Sequence, residues 1–386
     1  MDPSGVSLPP TAVKGAPAGF TLCADAGQAA GRGHRWRLGA LAEGNAASSI
    51  KAHASLPTNT RDETLDKDLS QMAHRLVTRS DFDGLVCAAL LEELGMIDDI
   101  LFVHPKDMQD GKVHITDRDI TTNLPYVEGA HLVFDHHMSE TMRIGARSNH
   151  IIDPDAPSAA RVVWRHFGGA DAFPRISEEM MEAVDKADSA QYDVDEVLDP
   201  QGWTLLNFLM DARTGLGRFR DFRVSNYQLM MQLIPACREM SVEEILEMPD
   251  VAERVRLYRE QAAAFEAQVR RCARIDGDVV ILDLRGEETI HAGNRFLVYA
   301  LFPDAKVSMH VLWGRQKQNT VLAVGKSIVD RSSRANIGEL MLHFGGGGHR
   351  NAGTCQVDHE HAEPTLAAIV AALNAVEVAA PAQLSS

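Results

Sequence analysis

Cysteine is scarce and scattered in this sequence. The chain of 386 residues has five cysteines, at positions 23, 87, 237, 272 and 355, and none of them forms a Cys-x-x-Cys pair. This distribution argues against a disulfide framework or a zinc finger and is typical of a reducing compartment. No apolar run approaches bilayer length, and the N-terminus lacks the basic start and apolar core of a secretory signal. We therefore expect a cytoplasmic protein without a membrane-spanning segment.

Positive charge and aromatic residues are also in short supply. Lys and Arg number 38 against 54 Asp and Glu, which gives a formal net charge of −16, and aromatic residues make up 6% of the chain. Proteins that bind long nucleic acids electrostatically usually carry a basic surface with interleaved aromatic residues, and no such stripe is present. An anionic substrate of small size remains compatible with this composition if metal ions or a local basic patch supply positive charge.

The order of predicted elements indicates two α/β domains. Residues 1–60 are rich in Ala, Gly, Pro and Ser, which predicts a mostly disordered tail. A helix is expected from about residue 62, and strands then alternate with helices, a pattern typical of a parallel sheet with helices on both faces. The predicted strands are 76–78, 100–103, 113–115 and 132–134, and the predicted helix after the first of them is 84–95.

The second half of the chain is first helical and then returns to a strand pattern. Residues 158–275 are largely helical, and strands are predicted again at 279–282 and as a pair at 306–314 and 320–328. The sequence therefore predicts an N-terminal metal-binding domain, a helical connection and a smaller C-terminal α/β domain. The predicted boundaries are a tail at 1–60, a first domain at 61–250, a linker helix at 251–275 and a second domain at 276–380.

Acidic residues and imidazoles follow three of the predicted strands. The carboxyl ends of parallel strands meet at one edge of a sheet, where ligands bind. Any one of these acids alone would more commonly cap a helix or end a turn, and one of the two adjacent histidines could be a core residue. Carboxylates crowded together repel unless a cation neutralises them, so jointly they predict a Mn²⁺ or Mg²⁺ site. The residues are Asp81 and Asp83, Asp117 and Asp119, and Asp135, His136 and His137.

Four consecutive glycines precede a histidine and an arginine in the second domain. Such a run costs backbone entropy on folding, so it needs a structural or functional reason. Backbone without Cβ atoms can direct several N–H groups at one anion, and the competing interpretation is a flexible turn. Three basic side chains lie upstream in the sequence. They would either contribute to an anion-binding site or lie on the solvent-exposed surface. The residues are Gly345, Gly346, Gly347, Gly348, His349 and Arg350, with Lys326, Arg331 and Arg334 upstream.

Three of these motifs together resemble a known family. SDFDG (80–84), FDHH (134–137) and GGGGHRNAG (345–353) are similar in kind and order to those of the DHH phosphoesterase family with its C-terminal DHH-associated domain, over about 70–375. That family includes nanoRNases that also act on pAp, dinucleotide phosphodiesterases, RecJ exonucleases, and exopolyphosphatase-like and inorganic pyrophosphatase relatives. The resemblance implies a two-metal phosphoesterase that usually uses Mn²⁺, with Mg²⁺ as a substitute.

The resemblance also implies roles for individual residues. Asp135 would orient a histidine, His137 would face the substrate phosphate, and the glycine segment with His349 would bind the far side of the substrate. Asp117 would bridge two metals, since the family's second motif is a single Asp at a strand end. The implied metal ligands are Asp81, Asp83, Asp117, His136 and Asp188, with Asp188 preferred to Asp185 because ADSAQY fits the family pattern better.

One position departs from the family pattern. Many members carry a His four residues before the first motif Asp, where this chain has Val77, and the nearby Arg79 would oppose a metal in the same loop. The expectation is two Mn²⁺ sites, one tight and one weak, or a loss of activity.

The leading functional hypothesis is therefore an enzyme that hydrolyses a phosphoester or phosphoanhydride. Its expected substrate is a short oligonucleotide, a dinucleotide, pAp or polyphosphate. No membrane partner is expected, and a homodimer is an open alternative to a monomer. A non-catalytic nucleotide or polyphosphate sensor that uses the same cleft is the alternative. A purely structural protein would leave both the acid cluster and the glycine segment unexplained.

Overall fold

The computed structural model describes residues 73–211, 215–219 and 221–378. The tail predicted at 1–60 lies outside the described residues, as does most of the helix expected from about residue 62. Within the described part of the chain, no helix combines the length and the apolar character needed to cross a lipid bilayer.

The first half of the chain builds a five-stranded parallel sheet, which confirms the predicted fold class. The strands are arranged in the order β2-β1-β3-β4-β5, and every neighbouring pair is parallel. This order brings the carboxyl ends of β1, β3 and β4 together at the centre of one edge. The strands are β1 (His74–Thr78), β2 (Ile97–Phe102), β3 (Asp119–Thr122), β4 (Leu132–Asp135) and β5 (His150–Ile152).

The third strand differs from its prediction. The apolar residues 113–115 are not a strand; β3 is Asp119–Thr122, six residues later. Thr121 and Thr122 are fully buried there, and the Thr122 hydroxyl donates to Thr78 Oγ1 at 2.7 Å. A central strand can thus be polar where a side-chain hydrogen bond satisfies it, which a pattern of apolar residues cannot show. As a consequence, Asp117 precedes its strand instead of following it.

Each strand of this sheet contributes side chains to both faces. Leu76 belongs to the main core, whereas the adjacent Val77 packs with Met108 and Leu124 in a smaller cluster, because successive side chains of a strand point to opposite faces. The helices are α1 (Phe82–Glu93), α2 (Pro105–Gln109), α3 (Met138–Ile144), α4 (Ala159–Phe167), α5 (Glu178–Asp188), α6 (Val194–Leu198), α7 (Gly202–Met210), α8 (Asn226–Glu239), α9 (Val242–Glu247), α10 (Pro249–Cys272), α11 (Leu297–Leu301), α12 (Ile337–His343) and α13 (His359–Val378).

The second half of the chain forms a mixed six-stranded sheet. Its order is β10-β11-β9-β8-β7-β6, with β7 and β8 parallel and the remaining neighbours antiparallel. The predicted strand pair is confirmed as β8 and β9. The strands are β6 (Ala273–Asp276), β7 (Val279–Asp283), β8 (Val307–Trp313), β9 (Thr320–Lys326), β10 (Gly347–His349) and β11 (Ala352–Val357).

The long helix α10 leads from the first half of the chain into the second. It has Pro249 at its first position, where the missing N–H costs no hydrogen bond. Hydrogen bonds between described residues of the two halves include that from Asn294 Nδ2 to the carbonyl of Val197 at 2.9 Å and that from Arg331 Nη2 to the carbonyl of Ala190 at 3.0 Å. Ala190 lies two residues after Asp188, so the second half of the chain contacts a segment that carries a predicted ligand.

Candidate active site

Asp83 is the buried anchor of the site. It lies in the first turn of α1, is 2% exposed, and accepts hydrogen bonds from the backbone N–H groups of Ala159 and Ala160 at 3.1 and 2.8 Å. These are the first two residues of α4, and a helix N-terminus favours a carboxylate. Oδ1 also accepts from the Cys87 thiol at 3.9 Å, whereas Oδ2 keeps a second lone pair, so Asp83 can join α1 to α4 and still offer an oxygen to a cation.

Three side chains from separate elements converge at this point. Asp83, His136 and Asp188 each offer a ligand atom within 4.8 Å of the other two. His136 Nε2 lies 3.0 Å from Asp188 Oδ2, and its Nδ1 lies 3.2 Å from the Ala156 carbonyl, which accepts from Nδ1–H and directs Nε2 into the cluster. Two adjacent ligands of an octahedral ion with bonds of about 2.1 Å are themselves about 3 Å apart. The cluster thus fits a divalent cation.

The protonation of the cluster follows from its burial and charge. Burial, together with the charge of Asp188, raises the pKa of Asp83 to about 7. Burial would lower the pKa of His136, but the hydrogen bond and charge of Asp188 outweigh it and raise this pKa to about 9. Burial would raise the pKa of Asp188, but the hydrogen bond and the charge of His136 have the larger effect and lower this pKa to about 2. Without a metal, protons therefore provide the positive charge that the cluster requires.

His137 has a different partner from its neighbour. Its Nδ1 lies 2.5 Å from Asp135 Oδ1, and the backbone N–H groups of both histidines also donate to that oxygen. The two imidazole rings are inclined by 66°. Asp135 is fully buried and its Oδ2 has no partner among the described residues. The two adjacent histidines are thus held separately, one by Asp188 and one by Asp135.

Asp81 is engaged away from the three-residue cluster. It caps α1, where its Oδ1 accepts from the Gly84 N–H at 3.0 Å, and its Oδ2 lies 3.0 Å from Arg79 Nε. Both carboxylate oxygens therefore have protein partners in this structure. The motif SDFDG supplies one acid to the cluster and one to an ion pair.

The structure places Asp117 far from the cluster. It is exposed and precedes β3, near His131 at the amino edge of the sheet, whereas the cluster lies at the carboxyl edge. Asp119, the next acid, is 1% exposed and pairs with Arg75 at 2.6 Å. The physical reason is the later position of β3, described above. The structure thus does not bring the predicted bridging acid to the other ligands.

The residue that directly follows β3 is Asn123. It is 1% exposed, has a positive φ of 54°, and neither polar atom of its side chain has a partner in the described part of the chain. Asn tolerates this left-handed conformation better than most residues. Sequence analysis missed it, although the β-branched run Ile120-Thr121-Thr122 before it is a signal for a strand that ends there.

Gly84 permits the close approach of α1 to the loop that carries Arg79. A Cβ at this position would lie 2.0 Å from the Arg79 carbonyl oxygen. We expect Gly84→Ala to destabilise the protein by about 1–3 kcal/mol, because the clash with backbone exceeds the gain in helix propensity of ~1 kcal/mol. The same change should weaken Mn²⁺ binding by displacing Asp83. Thermal melting and calorimetry measure both effects.

Gly286→Ala is the matched control, because no atom lies within 4 Å of the position of its added Cβ. An unchanged melting temperature and Mn²⁺ affinity in Gly84→Ala would contradict this account of the loop.

The glycine segment forms the turn into β10. Gly345 has a φ of 76°, and a Cβ on Gly346 or Gly348 would lie within 2.5 Å of the backbone oxygen of Thr354 or Ala352 on β11. Three of the four glycines are thus required by a positive φ or by close packing against β11. Gly347 differs, because its φ is ordinary and nothing lies within 4 Å of its Cβ position. The side chain of His349 lies outside the described part of the structure.

The four predicted cations of the second half of the chain have three different surroundings. Lys326 and the exposed Arg350 lie near each other at the ends of β9 and β10: the backbone N–H of Lys326 donates to Asn351, and burial together with the Arg350 charge lowers the pKa of Lys326. Arg331 donates to the carbonyl of Ala190 in the first half of the chain, whereas Arg334 donates to the final carbonyls of α13. Arg334 is therefore engaged in holding that helix.

Several solved structures are similar to this chain at low sequence identity. No family model matches the chain, and no curated protein does at the threshold applied. The DHH domain of a member of a family of ribosomal proteins shares 10% identity over 81% of this chain and 89% of its own, with a TM-score of 0.49. RecJ from Thermus thermophilus in complex with Mn²⁺ shares 15% over 81% and 53%, with a TM-score of 0.39.

A solved structure from Vibrio cholerae is far more similar. It is described as the pGpG-specific phosphodiesterase PggH, and the match has 62% sequence identity, a TM-score of 0.66, and coverage of 78% of this chain and 99% of the other. Identity of this level over a whole chain establishes common ancestry. The sequence motifs and the parallel sheet agree with this relationship, as do the acids and imidazoles that converge at its carboxyl edge. The chain is therefore a hydrolase and belongs to the DHH phosphoesterase family.

Proposed function

We propose that the protein hydrolyses the phosphodiester bond of a short linear dinucleotide of the pGpG type and releases two mononucleotides. The observation that carries this proposal is the 62% identity to a pGpG-specific phosphodiesterase over 99% of that chain. The cluster at the sheet edge and the cations near the glycine segment support it, since they offer a catalytic centre and an anion-binding surface. In the reaction, water adds to the internal phosphorus and the 3′-oxygen of the first nucleoside leaves with a proton.

A divalent cation would be held by Asp83, His136 and Asp188, the residues whose ligand atoms converge. When bound, such an ion would activate water and offset negative charge on the phosphate. The donor set of two carboxylates and one imidazole suits Mn²⁺ and Mg²⁺. Asp83 is fixed by the N-terminus of α4 and His136 by the Ala156 carbonyl, so both are oriented before the ion arrives.

His137 would contact the phosphate that is cleaved. Asp135 Oδ1 lies 2.5 Å from its Nδ1, which fixes the ring orientation and favours the tautomer with the proton on Nδ1. Nε2 is then the ring atom directed away from Asp135. Asp135 would hold the ring so that this atom faces the phosphate.

The second domain would hold the far end of the dinucleotide. Lys326 and Arg350 place two cations beside the glycine segment, and Gly347 leaves open space over its backbone. A terminal phosphate could approach the backbone N–H groups there without meeting a side chain. The hydrogen bond from Arg331 to Ala190 connects this domain to the segment after Asp188, so binding and catalysis would share one cleft.

The direct test is a substrate panel with purified protein. We expect release of GMP from pGpG in the presence of Mn²⁺, suppression by EDTA, and slower reaction with pAp, polyphosphate or long single-stranded DNA, all followed by chromatography. Binding of pGpG without release of GMP would instead support the nucleotide sensor. Faster turnover of pAp or polyphosphate would overturn the assignment of substrate.

Gly347 permits a separate test of the substrate-binding role. Because its Cβ position is open and its φ is ordinary, Gly347→Ala should leave the melting temperature unchanged. If a phosphate approaches this backbone, the variant should raise KM about tenfold, the effect of one hydrogen bond of ~1.4 kcal/mol, with Mn²⁺ affinity unaltered.

Gly286→Ala, which is equally open but lies after β7, serves as the control. Wild-type kinetics in folded Gly347→Ala would argue that the segment is only a turn.

A further inference from the structure

We propose that this protein binds one divalent cation, and that the guanidinium of Arg79 takes the place of the second ion that its family implies, where it contacts the substrate phosphate. The metal stoichiometry in this inference does not depend on which substrate is cleaved, whereas the contact with phosphate rests on the proposed function.

The first observation is the ion pair between Arg79 and Asp81. Arg79 Nε lies 3.0 Å from Asp81 Oδ2, and the other oxygen of Asp81 accepts from the Gly84 N–H. Both oxygens of the acid that would serve the second ion are therefore engaged. The guanidinium also lies in the field of Asp83, Asp188 and Asp211, which favours its charged form. A cation already stands beside this carboxylate, and it is part of the chain.

The second observation concerns Val77. The resemblance places a histidine there in many members of the family, and this chain has an alkyl side chain. Val77 is fully buried and packs with Met108 and Leu124, so it fills a hydrophobic cluster and offers no ligand atom. The second ion would lack this imidazole as well as the oxygens of Asp81.

The third observation is Asn123 at the end of β3. β3 lies between β1 and β4, the strands that lead to Asp83 and to His136. A carboxylate at this strand end would neutralise part of the charge of two neighbouring ions, whereas the amide of Asn123 carries no charge. Its two polar atoms are buried and unpartnered within the described residues, so they would be satisfied by an ion, water or substrate.

Charge balance leads to the same stoichiometry. Asp83 and Asp188 carry two negative charges when ionised, which one divalent ion neutralises. Arg79 and Asp81 neutralise each other. A second divalent ion would thus bring two positive charges next to a guanidinium, and the three-residue cluster has no third carboxylate among the described residues to offset them. The other acids nearby are Asp135, which is engaged by His137, and Asp211, which already faces Arg79.

Arginine is suited to the role that remains. Its guanidinium stays charged, carries five N–H donors and binds phosphate in a bidentate manner. A fixed cation aimed at a phosphate stabilises the charge that develops during displacement at phosphorus, as an arginine finger does. Arg79 is one residue past β1, directly at the sheet edge where the cluster lies.

The test begins with Mn²⁺ alone. Calorimetric titration and elemental analysis of the gel-filtered wild-type protein should give one ion per chain. Two ions of comparable affinity would overturn the inference. This measurement uses no substrate, so its outcome does not depend on which phosphoester the protein cleaves.

Substitutions then locate the cause. Arg79→Gln should keep one Mn²⁺ and lower kcat for pGpG by about 10²–10³-fold, and Arg79→Lys should recover part of that loss. The double variant Arg79→Gln/Asn123→Asp frees Asp81 and adds a carboxylate, so it should gain a second, weaker Mn²⁺. Arg118→Gln, which removes an exposed ion pair with Asp98, should change neither stoichiometry nor kcat.

Each negative result would contradict a different part of the inference. One bound Mn²⁺ with no hydrolysis of any nucleotide would end the proposed function and leave the stoichiometry intact. Wild-type kcat in folded Arg79→Gln, checked by circular dichroism, would refute the role of Arg79 in the reaction. Failure of the double variant to gain an ion would count against Arg79 and Asn123 as the reason for the single site.

Discussion

Replacement of His136 by alanine is expected to abolish Mn²⁺ binding at micromolar concentrations and to lower kcat/KM at least about a thousandfold. His136 supplies the only imidazole of the three-residue cluster, and its Nε2 lies 3.0 Å from Asp188. Without it, Asp83 and Asp188 would have to hold the ion alone. Calorimetry with Mn²⁺ and steady-state kinetics with pGpG measure the two effects.

His137→Ala is the matched comparison, because it removes the adjacent imidazole from the same strand end. His137 Nδ1 pairs with Asp135 Oδ1, and Asp135 is not one of the three cluster residues. This variant should retain Mn²⁺ with near wild-type affinity and lower kcat by about 10²–10⁴-fold, the usual contribution of a positioned acid or base. Equal loss of metal in both variants would contradict the assignment of separate roles to the two histidines.

Mn²⁺ affinity is expected to fall about a thousandfold between pH 8 and pH 6, through proton linkage. In the metal-free protein, the hydrogen bond and charge of Asp188 overcome burial and hold the pKa of His136 at about 9, while burial holds the pKa of Asp83 at about 7. Both groups must lose their protons to act as ligands. One proton is released on binding near pH 8 and two near pH 6, so affinity decreases as pH falls.

Calorimetry in buffers of different ionisation enthalpy counts the released protons directly. We expect about one proton per ion at pH 8 and close to two at pH 6. In Asp83→Asn the second proton should disappear, because this variant removes the group that titrates near pH 7 and keeps His136. A constant affinity from pH 6 to pH 8 would mean that Asp83 and His136 do not ligate the ion.

The ends of β1 and β4 were predictable from the sequence because strong local signals agree there. Leu132-Val133-Phe134 is an apolar run that stops at an acid and two histidines, and the structure gives β4 as Leu132–Asp135. Likewise, SDFDG follows β1 and opens α1, with Asp81 as its cap. Apolar runs, capping residues and glycines are local in the chain, so short windows of sequence report them well.

The end of β3 was not predictable by the same reasoning. Val113 and Ile115 are apolar but pack outside the sheet against the cluster of Val77 and Met108, whereas β3 carries buried threonines. The Thr122 hydroxyl is satisfied by Thr78, 44 positions earlier in the chain, and only the folded sheet reveals that partner. The misplaced strand moved the expected bridging ligand to Asp117 and concealed Asn123.

The cluster has a consequence for the order of events during synthesis. Its three members are residues 83, 136 and 188, which lie on α1, directly after β4 and at the end of α5. A nascent chain that stops before α5 lacks Asp188, and the sheet around Asp83 is complete only after β5 has paired. Since domains fold as units, the growing chain has no preformed cavity in which to capture a passing ion. If the cluster holds a divalent cation, as proposed above, the ion can be bound only after the first half of the chain has folded.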